Sequence, residues 1–112
     1  ISGLETGSPP AYTAVKAALI AHAKTTAAEF APKNIRVNCI APGSVEFEGG
    51  FWNQAKHENR DMYDEMLARI PFGRMGSPEE IAAAVVFIAS PKASWVSGAM
   101  LVVDGVQHKG VF

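Results

Sequence analysis

The sequence lacks several features, and each absence argues against a class of protein. Only one of its 112 residues is a cysteine, Cys39, so no disulfide can form within the chain. Ten lysine and arginine residues nearly balance eleven aspartate and glutamate residues. No basic cluster stands out among them, which argues against a nucleic acid or an anionic membrane as partner. The longest apolar runs are far shorter than the roughly 20 residues of a membrane-spanning helix. We therefore expect a soluble, cytoplasmic protein without a membrane partner.

Two residues suited to proton transfer lie four positions apart in an alanine-rich stretch. These are Tyr12 and Lys16, and a helix would place them on one face with about 5–6 Å between their Cβ atoms. A free tyrosine titrates near pH ~10, so it needs a nearby cation that favours its phenolate before it can exchange protons at neutral pH. Lys16 could be that cation. Alone, the Y-x-x-x-K motif is a weak signal, because a helical tyrosine beside a solvated lysine has the same spacing.

Three further motifs follow in order along the chain. Residues 35–43 read I-R-V-N-C-I-A-P-G, residues 73–81 read G-R-M-G-S-P-E-E-I, and residues 102–105 read V-V-D-G. Together with Y-x-x-x-K, they resemble the C-terminal half of the short-chain dehydrogenase/reductase family, and the likeness runs from about residue 2 to residue 105. Four ordered motifs with the spacing of the family are a far more specific signal than any one of them.

The resemblance implies an α/β fold, the C-terminal part of a Rossmann-like doubly wound parallel sheet. Residues 1–112 would form the C-terminal half of one such domain. The expected elements are a helix over residues 11–30, a strand over 35–40, a helical substrate segment over 53–69, a helix over 78–89 and a strand over 100–103. Two parallel strands make a sheet too small to be stable by itself, so further chain should cover its edges.

The resemblance also implies an activity: NAD(P)-dependent interconversion of a small-molecule alcohol and a carbonyl. A group poised near neutral pH must carry the hydroxyl proton, and Tyr12 is the candidate acid/base. Lys16 would assist it and bind the nicotinamide ribose. The family also has a catalytic serine about 12–13 residues before the tyrosine, which falls upstream of Ile1. Ser2 is the nearest serine in that loop and is a secondary candidate for the role.

The turn after the first predicted strand should face the cofactor, because ligands of open α/β sheets bind beyond the carboxyl ends of the strands. By resemblance, Pro42, Gly43 and Val45 would line the nicotinamide side through backbone contacts. The family often has a threonine four residues after this glycine that bonds the nicotinamide amide. Phe47 stands there in this chain and cannot make that bond.

The glycine-rich turn G-x-x-x-G-x-G that holds a pyrophosphate at a helix N-terminus is also absent, as is an initiator methionine. We interpret this as the absence of the nucleotide-binding N-terminal half, so the chain alone should be inactive and the choice between NAD and NADP stays open. The alternative is a truncated, non-catalytic relative that acts as an oligomerising or structural module. In either case we expect a homo-oligomer, a dimer or a tetramer.

Several local features carry expectations of their own. Ser77, Pro78 and Glu80 form a helix start with a capping box. Four bulky residues in the substrate segment suit either the core or a pocket wall, and the sequence leaves both open: Phe51, Trp52, Tyr63 and Met66. No metal site is predicted, since neither Cys39 nor His22 has ligand partners at suitable spacing.

Overall fold

The computed structural model describes residues 8–111, which contain four helices and one pair of strands. The helices are α1 (Pro10–Phe30), α2 (Phe51–Glu58), α3 (Arg60–Ala68) and α4 (Pro78–Ala89), and the strands are β1 (Cys39–Pro42) and β2 (Met100–Val103). The two strands are parallel, which confirms the α/β class and the predicted order of elements. None of the helices in this described part is long and apolar enough to cross a membrane.

Helix α1 begins at a proline, where a missing N–H costs nothing because the first turn has no intrahelical acceptor for it. Its alanine-rich sequence favours the helix throughout. The helix ends in a short 3₁₀ turn (Ala31–Lys33), and Asn34 follows in the left-handed conformation with φ 57°. Asparagine tolerates this conformation better than most residues.

Strand β1 lies further along the chain than predicted. The expected strand over residues 35–40 is wrong in its bounds, because the ladder with β2 runs from Cys39 to Pro42. Cys39 stands opposite Met100, and Pro42 stands opposite Val103. Pro42 is therefore the last residue of the strand. The N–H of the next residue, Gly43, still donates to the Val103 carbonyl at 3.0 Å.

Residues 35–38, where a strand was expected, are held by side-chain hydrogen bonds. The Arg36 guanidinium donates to the carbonyl oxygens of Ile88 and Val96, at 2.7 and 3.2 Å. The Asn38 amide donates to the Val96 carbonyl at 2.9 Å, and its oxygen accepts from the Ala99 N–H at 3.0 Å. These bonds to the last turn of α4 and to the loop after it hold the segment in place of a regular backbone ladder, and the alternating apolar pattern did not indicate them.

The substrate segment forms two helices instead of the single helix predicted over residues 53–69. Asn59 separates them, with φ −141° and ψ 71°. Its side-chain oxygen accepts from the Met62 N–H at 3.3 Å and so caps α3. Asparagine is among the preferred N-cap residues, and this local bond competes with a continuous helix.

The core cluster of buried side chains belongs to this segment and to the residues just after it. Ala55, Tyr63, Ile70 and Met75 form the buried cluster, and Trp52, Met62, Met66 and Leu67 pack against it. The sheet is covered less completely. Helix α4 packs on both strands, yet all four residues of β2 are only half-buried within residues 8–111.

The turn after β2 places a valine in a backbone conformation that glycine usually adopts. Val106 adopts φ 65°, in the left-handed region that favours glycine. The Asp104 carboxylate holds this turn by accepting from the N–H groups of Val106 and His108, at 2.9 and 2.7 Å. A left-handed residue with a Cβ costs roughly 1–2 kcal/mol, so the turn keeps its shape at the expense of stability.

Helix α4 starts with the capping box that the sequence predicts. The Ser77 hydroxyl accepts from the Glu80 N–H, and the Glu80 carboxylate accepts from the Ser77 N–H at 2.9 Å. Arg74 adds two hydrogen bonds to the same carboxylate, at 2.6 and 3.0 Å. Chiefly because of these bonds from Arg74, and then the bond from the Ser77 N–H, the pKa of Glu80 falls from 4.5 to about 2.

This depressed pKa predicts a pH-dependent contribution to stability. The folded state binds the Glu80 proton more weakly than the unfolded state, so the contribution is complete above the unfolded pKa of 4.5 and is lost as pH falls towards 2. Glu80→Gln should therefore lower Tm at pH 7, and its deficit relative to the unchanged chain should disappear near pH 2. Thermal unfolding followed by circular dichroism between pH 2 and 7 would measure this. Glu79→Gln, one residue earlier, is the matched control, and a deficit for Glu80→Gln that stays constant with pH would contradict the prediction.

Candidate active site

Tyr12 and Lys16 lie on the same face of α1. The Lys16 Nζ is 5.4 Å from the centroid of the Tyr12 ring, within cation–π range. The Tyr12 side chain is half exposed. The helical spacing therefore brings the two side chains together as predicted, with the ammonium over the ring.

Both side chains line a cavity of about 930 Å³. One wall is the α1 face that carries Tyr12 and Lys16. A second wall is the end of β1 and the loop after it, with Pro42, Gly43 and Ser44, and a third comes from α2 and α3, with Phe51, Trp52, Met66 and, just after α3, Arg69. The cavity thus opens beside the carboxyl end of β1, where open α/β sheets bind their ligands.

A glycine is needed at position 43 because the backbone there lies close to the turn that follows β2. A Cβ on Gly43 would lie 2.6 Å from the Asp104 Cβ and 2.9 Å from the Gln107 side-chain oxygen. The same Gln107 oxygen accepts from the Ser44 N–H at 2.8 Å, and the Gln107 residue is buried. Sequence reasoning missed Gln107 because it lies 63 positions from Ser44, in a tail where no motif marks it.

Val45 does not line the cavity, unlike Pro42 and Gly43. It pairs instead with Gly76 in an isolated parallel bridge, and the Glu46 N–H donates to the Gly76 carbonyl at 2.9 Å. If the Val45 backbone contacts a cofactor, as the resemblance implies, that contact lies outside the lining of this cavity.

Phe47, which replaces the threonine of the family, is also absent from the cavity wall. Its ring lies against Gly50, where an added Cβ would be 2.7 Å from the Phe47 Cζ. Phe47 therefore packs on its own loop, and this position offers no side-chain hydrogen bond to a ligand.

The second tyrosine of the chain, Tyr63, is unsuited to acid/base chemistry in the cavity. It is only 5% exposed and is not part of the cavity wall. Its hydroxyl donates to the Glu46 Oε2 at 3.0 Å. Burial and the Glu46 carboxylate both raise the pKa of Tyr63 above its ordinary value, so this phenol stays protonated at neutral pH. Tyr12 is the only tyrosine that lines the cavity.

The open question over the four bulky residues now has an answer for each of them. Tyr63 belongs to the core. Phe51, Trp52 and Met66 line the cavity, and Trp52 and Met66 also pack against the core cluster. The two roles are compatible, because one side of a large side chain can pack against the core cluster while its other side faces the cavity.

The secondary candidate Ser2 lies outside the described residues. Two described serines line the cavity, Ser8 and Ser44. Ser8 lies four residues before Tyr12, and its carbonyl oxygen accepts from the Thr13 hydroxyl at 3.4 Å. The cavity wall carries no aspartate or glutamate among its described residues, whereas it carries the cations Lys16 and Arg69. This balance of charge suits an anionic ligand.

The fold and the site define the class of the protein: an α/β chain with a parallel strand pair that ends beside a Y-x-x-x-K helix, as in Rossmann-like dehydrogenases. A family model described as Enoyl-(Acyl carrier protein) reductase matches residues 3–107. The chain belongs to the short-chain dehydrogenase/reductase family.

Two curated relatives illustrate the similarity. Isoepoxydon dehydrogenase patN of Penicillium expansum is 44% identical over 104 residues, which cover 92% of this chain and 40% of that protein. The 3-oxoacyl-(acyl-carrier-protein) reductase FabG of Chlamydia trachomatis is 44% identical over 94 residues, which cover 84% of this chain and 36% of that protein. These relatives are oxidoreductases, and the chain spans only about two fifths of their length.

Solved structures show the same fold. YwfH, an NADPH-dependent reductase involved in bacilysin biosynthesis, superposes with a TM-score of 0.85 at 32% identity. The match covers 99% of this chain and 45% of the YwfH chain. A 4-hydroxyisoleucine dehydrogenase complexed with NADH gives a TM-score of 0.85 at 31% identity. The match covers 97% of this chain and 44% of the dehydrogenase chain. The predicted Rossmann-like architecture is therefore confirmed.

Proposed function

We propose that the protein is an NAD(P)-dependent oxidoreductase that interconverts an alcohol and a carbonyl, and that residues 1–112 form the C-terminal half of its domain. The observation that carries this proposal is the meeting of Tyr12 and Lys16 with the end of β1 around one cavity. Family membership supports the reaction class, and the coverage of about two fifths of each relative supports a larger domain.

Tyr12 is the acid/base of the proposed reaction. Its hydroxyl gives a proton to the substrate oxygen when a carbonyl is reduced and takes it back when an alcohol is oxidised. A phenol needs electrostatic help to exchange protons near neutral pH. The ammonium of Lys16, whose Nζ lies 5.4 Å from the ring centroid, is the group that we assign to this role.

The cavity suits the nicotinamide end of a dinucleotide together with a small substrate. Its volume of about 930 Å³ lies near the upper end of the range for ligand pockets, roughly 300–1,000 Å³. Pro42 and Gly43 would form the wall beside the nicotinamide, and Lys16 would bind the ribose hydroxyls. When bound, the nicotinamide accepts or supplies the hydride. NAD and NADP both remain candidates, since one structural relative is named as NADPH-dependent and another is complexed with NADH.

The remaining parts of the proposed site lie beyond the described residues. A serine that holds the substrate oxygen would complete the catalytic set, and Ser2 keeps a secondary candidacy for it. The glycine-rich turn that grips a pyrophosphate does not occur in the 112 residues. We therefore propose that these residues alone do not turn over substrate.

A second candidate function is a non-catalytic, oligomerising module. Two observations favour this module. Helix α1 exposes Val15 and Leu19, whose accessible fractions are 63% and 53%. The two-stranded sheet leaves its outer edges unpaired within residues 8–111. The rest of a larger domain would cover the same surfaces. We therefore prefer the enzyme, in which these surfaces belong to the domain interior or to a homo-oligomer contact.

A cofactor titration separates the two functions. We expect the 112-residue chain to leave the fluorescence of NADH and NADPH unchanged, because it lacks the pyrophosphate-binding turn. The whole protein should change the fluorescence of one of them at micromolar concentration and oxidise it in the presence of a carbonyl substrate, as followed by absorbance at 340 nm. Binding of neither nucleotide by the whole protein would contradict the enzyme and favour the module.

A further inference from the structure

A partly buried carboxylate links the loop after β1 to both helices of the substrate segment. Glu46 follows Gly43 by three residues, and its Oε2 accepts from the hydroxyl of Tyr63, in α3, at 3.0 Å. Its Oε1 lies 3.4 Å from the Nζ of Lys56, in α2. The Glu46 side chain is 23% exposed and Tyr63 is 5% exposed, so water competes weakly with the hydrogen bond between them. The Lys56 side chain is 39% exposed, so its ion pair with Glu46 is the weaker of the two contacts.

The linked elements form two walls of the cavity. The end of β1 and the following loop contribute Pro42 and Gly43, whereas α2 and α3 contribute Trp52 and Met66. Helices α2 and α3 pack mainly on each other and make few contacts with the strands. Glu46 and Gln107 both connect the two walls: Glu46 accepts from Tyr63, whereas Gln107 accepts from the Ser44 N–H at 2.8 Å and donates to the Met66 Sδ at 3.2 Å. The position of the wall formed by α2 and α3 therefore depends on these bonds and on the packing of the core cluster.

The cationic surroundings of Tyr63 strengthen this connection. The Lys56 Nζ lies 5.6 Å from the Tyr63 ring centroid, and the Arg60 guanidinium carbon lies 5.2 Å from it. A carboxylate that accepts a hydrogen bond and pairs with a cation is held more firmly than one with a neutral partner alone. If Tyr63 lost its hydroxyl, the partly buried Glu46 would lose its hydrogen-bond donor while the ring packing stayed in place.

We propose that Glu46 is a positioning residue for substrate recognition: through Tyr63 and Lys56 it holds the wall formed by α2 and α3 at a fixed distance from Tyr12. The proposal rests on the proposed function of the cavity. The wall that it positions is aromatic and apolar around Trp52 and Met66, so it contacts the carbon skeleton of the substrate. Loosening that wall weakens substrate binding and leaves the groups that hold the nucleotide and move the proton in place.

Tyr63→Phe in the whole enzyme tests the proposal. It removes the donor to Glu46 and keeps the ring in the core, so we expect KM for the carbonyl substrate to rise roughly tenfold while kcat and nucleotide affinity change little. Glu46→Ala should raise KM at least as much. Glu46→Gln should recover part of the loss, because its amide oxygen can still accept from the tyrosine. Glu65→Gln, at an exposed position on the same helix, is the matched control and should leave KM unchanged.

A second readout needs no enzymatic activity. The chain has two tryptophans, and Trp95 is 98% exposed, so Trp95→Phe costs little and leaves Trp52 as the only tryptophan of the 112 residues. In the whole protein with that change, and with any tryptophan outside the 112 residues also replaced by phenylalanine, Tyr63→Phe and Glu46→Ala should increase acrylamide quenching of Trp52 and shift its emission to longer wavelength. Glu65→Gln should change neither.

The outcomes separate the proposal from the proposed function. A folded Tyr63→Phe enzyme with unchanged KM, or with a lower kcat at unchanged KM, would overturn the positioning role. Unchanged Trp52 quenching would overturn it as well. Failure of the proposed function would show itself differently, as absence of NAD(P)-dependent turnover in the unsubstituted protein, and the Trp52 measurement would then still decide whether Glu46 positions the wall.

Discussion

Replacing Tyr12 with phenylalanine in the whole enzyme should lower kcat by roughly 100-fold or more, the usual contribution of an acid/base group. The ring would remain beside Lys16, so the packing of α1 and the cavity wall should persist. The variant loses only the hydroxyl that carries the proton. NAD(H) or NADP(H) should therefore bind with nearly unchanged affinity. Steady-state rates and a fluorescence titration of the nucleotide measure the two quantities separately.

The second tyrosine provides a control for this experiment. Tyr63→Phe removes the other phenol of the chain, but that hydroxyl bonds Glu46 and is absent from the cavity wall. It should therefore leave kcat close to that of the unsubstituted enzyme. Full activity of Tyr12→Phe, or an equal loss of kcat in both variants, would contradict the assignment of Tyr12 as acid/base.

Gly43→Ala should destabilise the protein by about 3 kcal/mol, at the upper end of the usual cost of overpacking. The added Cβ would lie 2.6 and 2.7 Å from the Cβ and Cα of Asp104. Because one of these atoms is backbone, the clash cannot be relieved by turning a flexible side chain. The end of β1 and the turn after β2 would have to separate, which would also disturb the Gln107 bond to Ser44. Urea unfolding followed by circular dichroism would measure the loss.

Gly76→Ala is the matched control for this substitution. A Cβ on Gly76 would find its nearest neighbours, Glu80 and Ser44, at 3.7 and 3.8 Å, which is ordinary van der Waals contact. The control should therefore unfold at nearly the same urea concentration as the unsubstituted protein. Equal stabilities for Gly43→Ala and Gly76→Ala would show that the approach of Gly43 to Asp104 is unimportant.

Local patterns predicted the helices and their ends with good accuracy. The alanine-rich run predicted α1 to within one residue, and the capping box at Ser77 predicted the start of α4. The Y-x-x-x-K spacing predicted that Tyr12 and Lys16 share a face. These features depend on interactions between residues no more than four positions apart, which a sequence displays directly. The break at Asn59 was also local, but its capping signal was missed within a segment of partial helical periodicity.

The sequence by itself determined the family, the helix that carries the proposed acid/base pair, and the turn at Pro42 and Gly43 that faces the cavity. Only the tertiary structure decided where β1 pairs, which bulky residues reach the cavity, and that Glu46 joins its walls. The physical reason is the range of the contacts: Glu46 meets Tyr63 across 17 positions, and Ser44 meets Gln107 across 63. Such contacts arise when separate elements pack together, and no local pattern in the chain announces them.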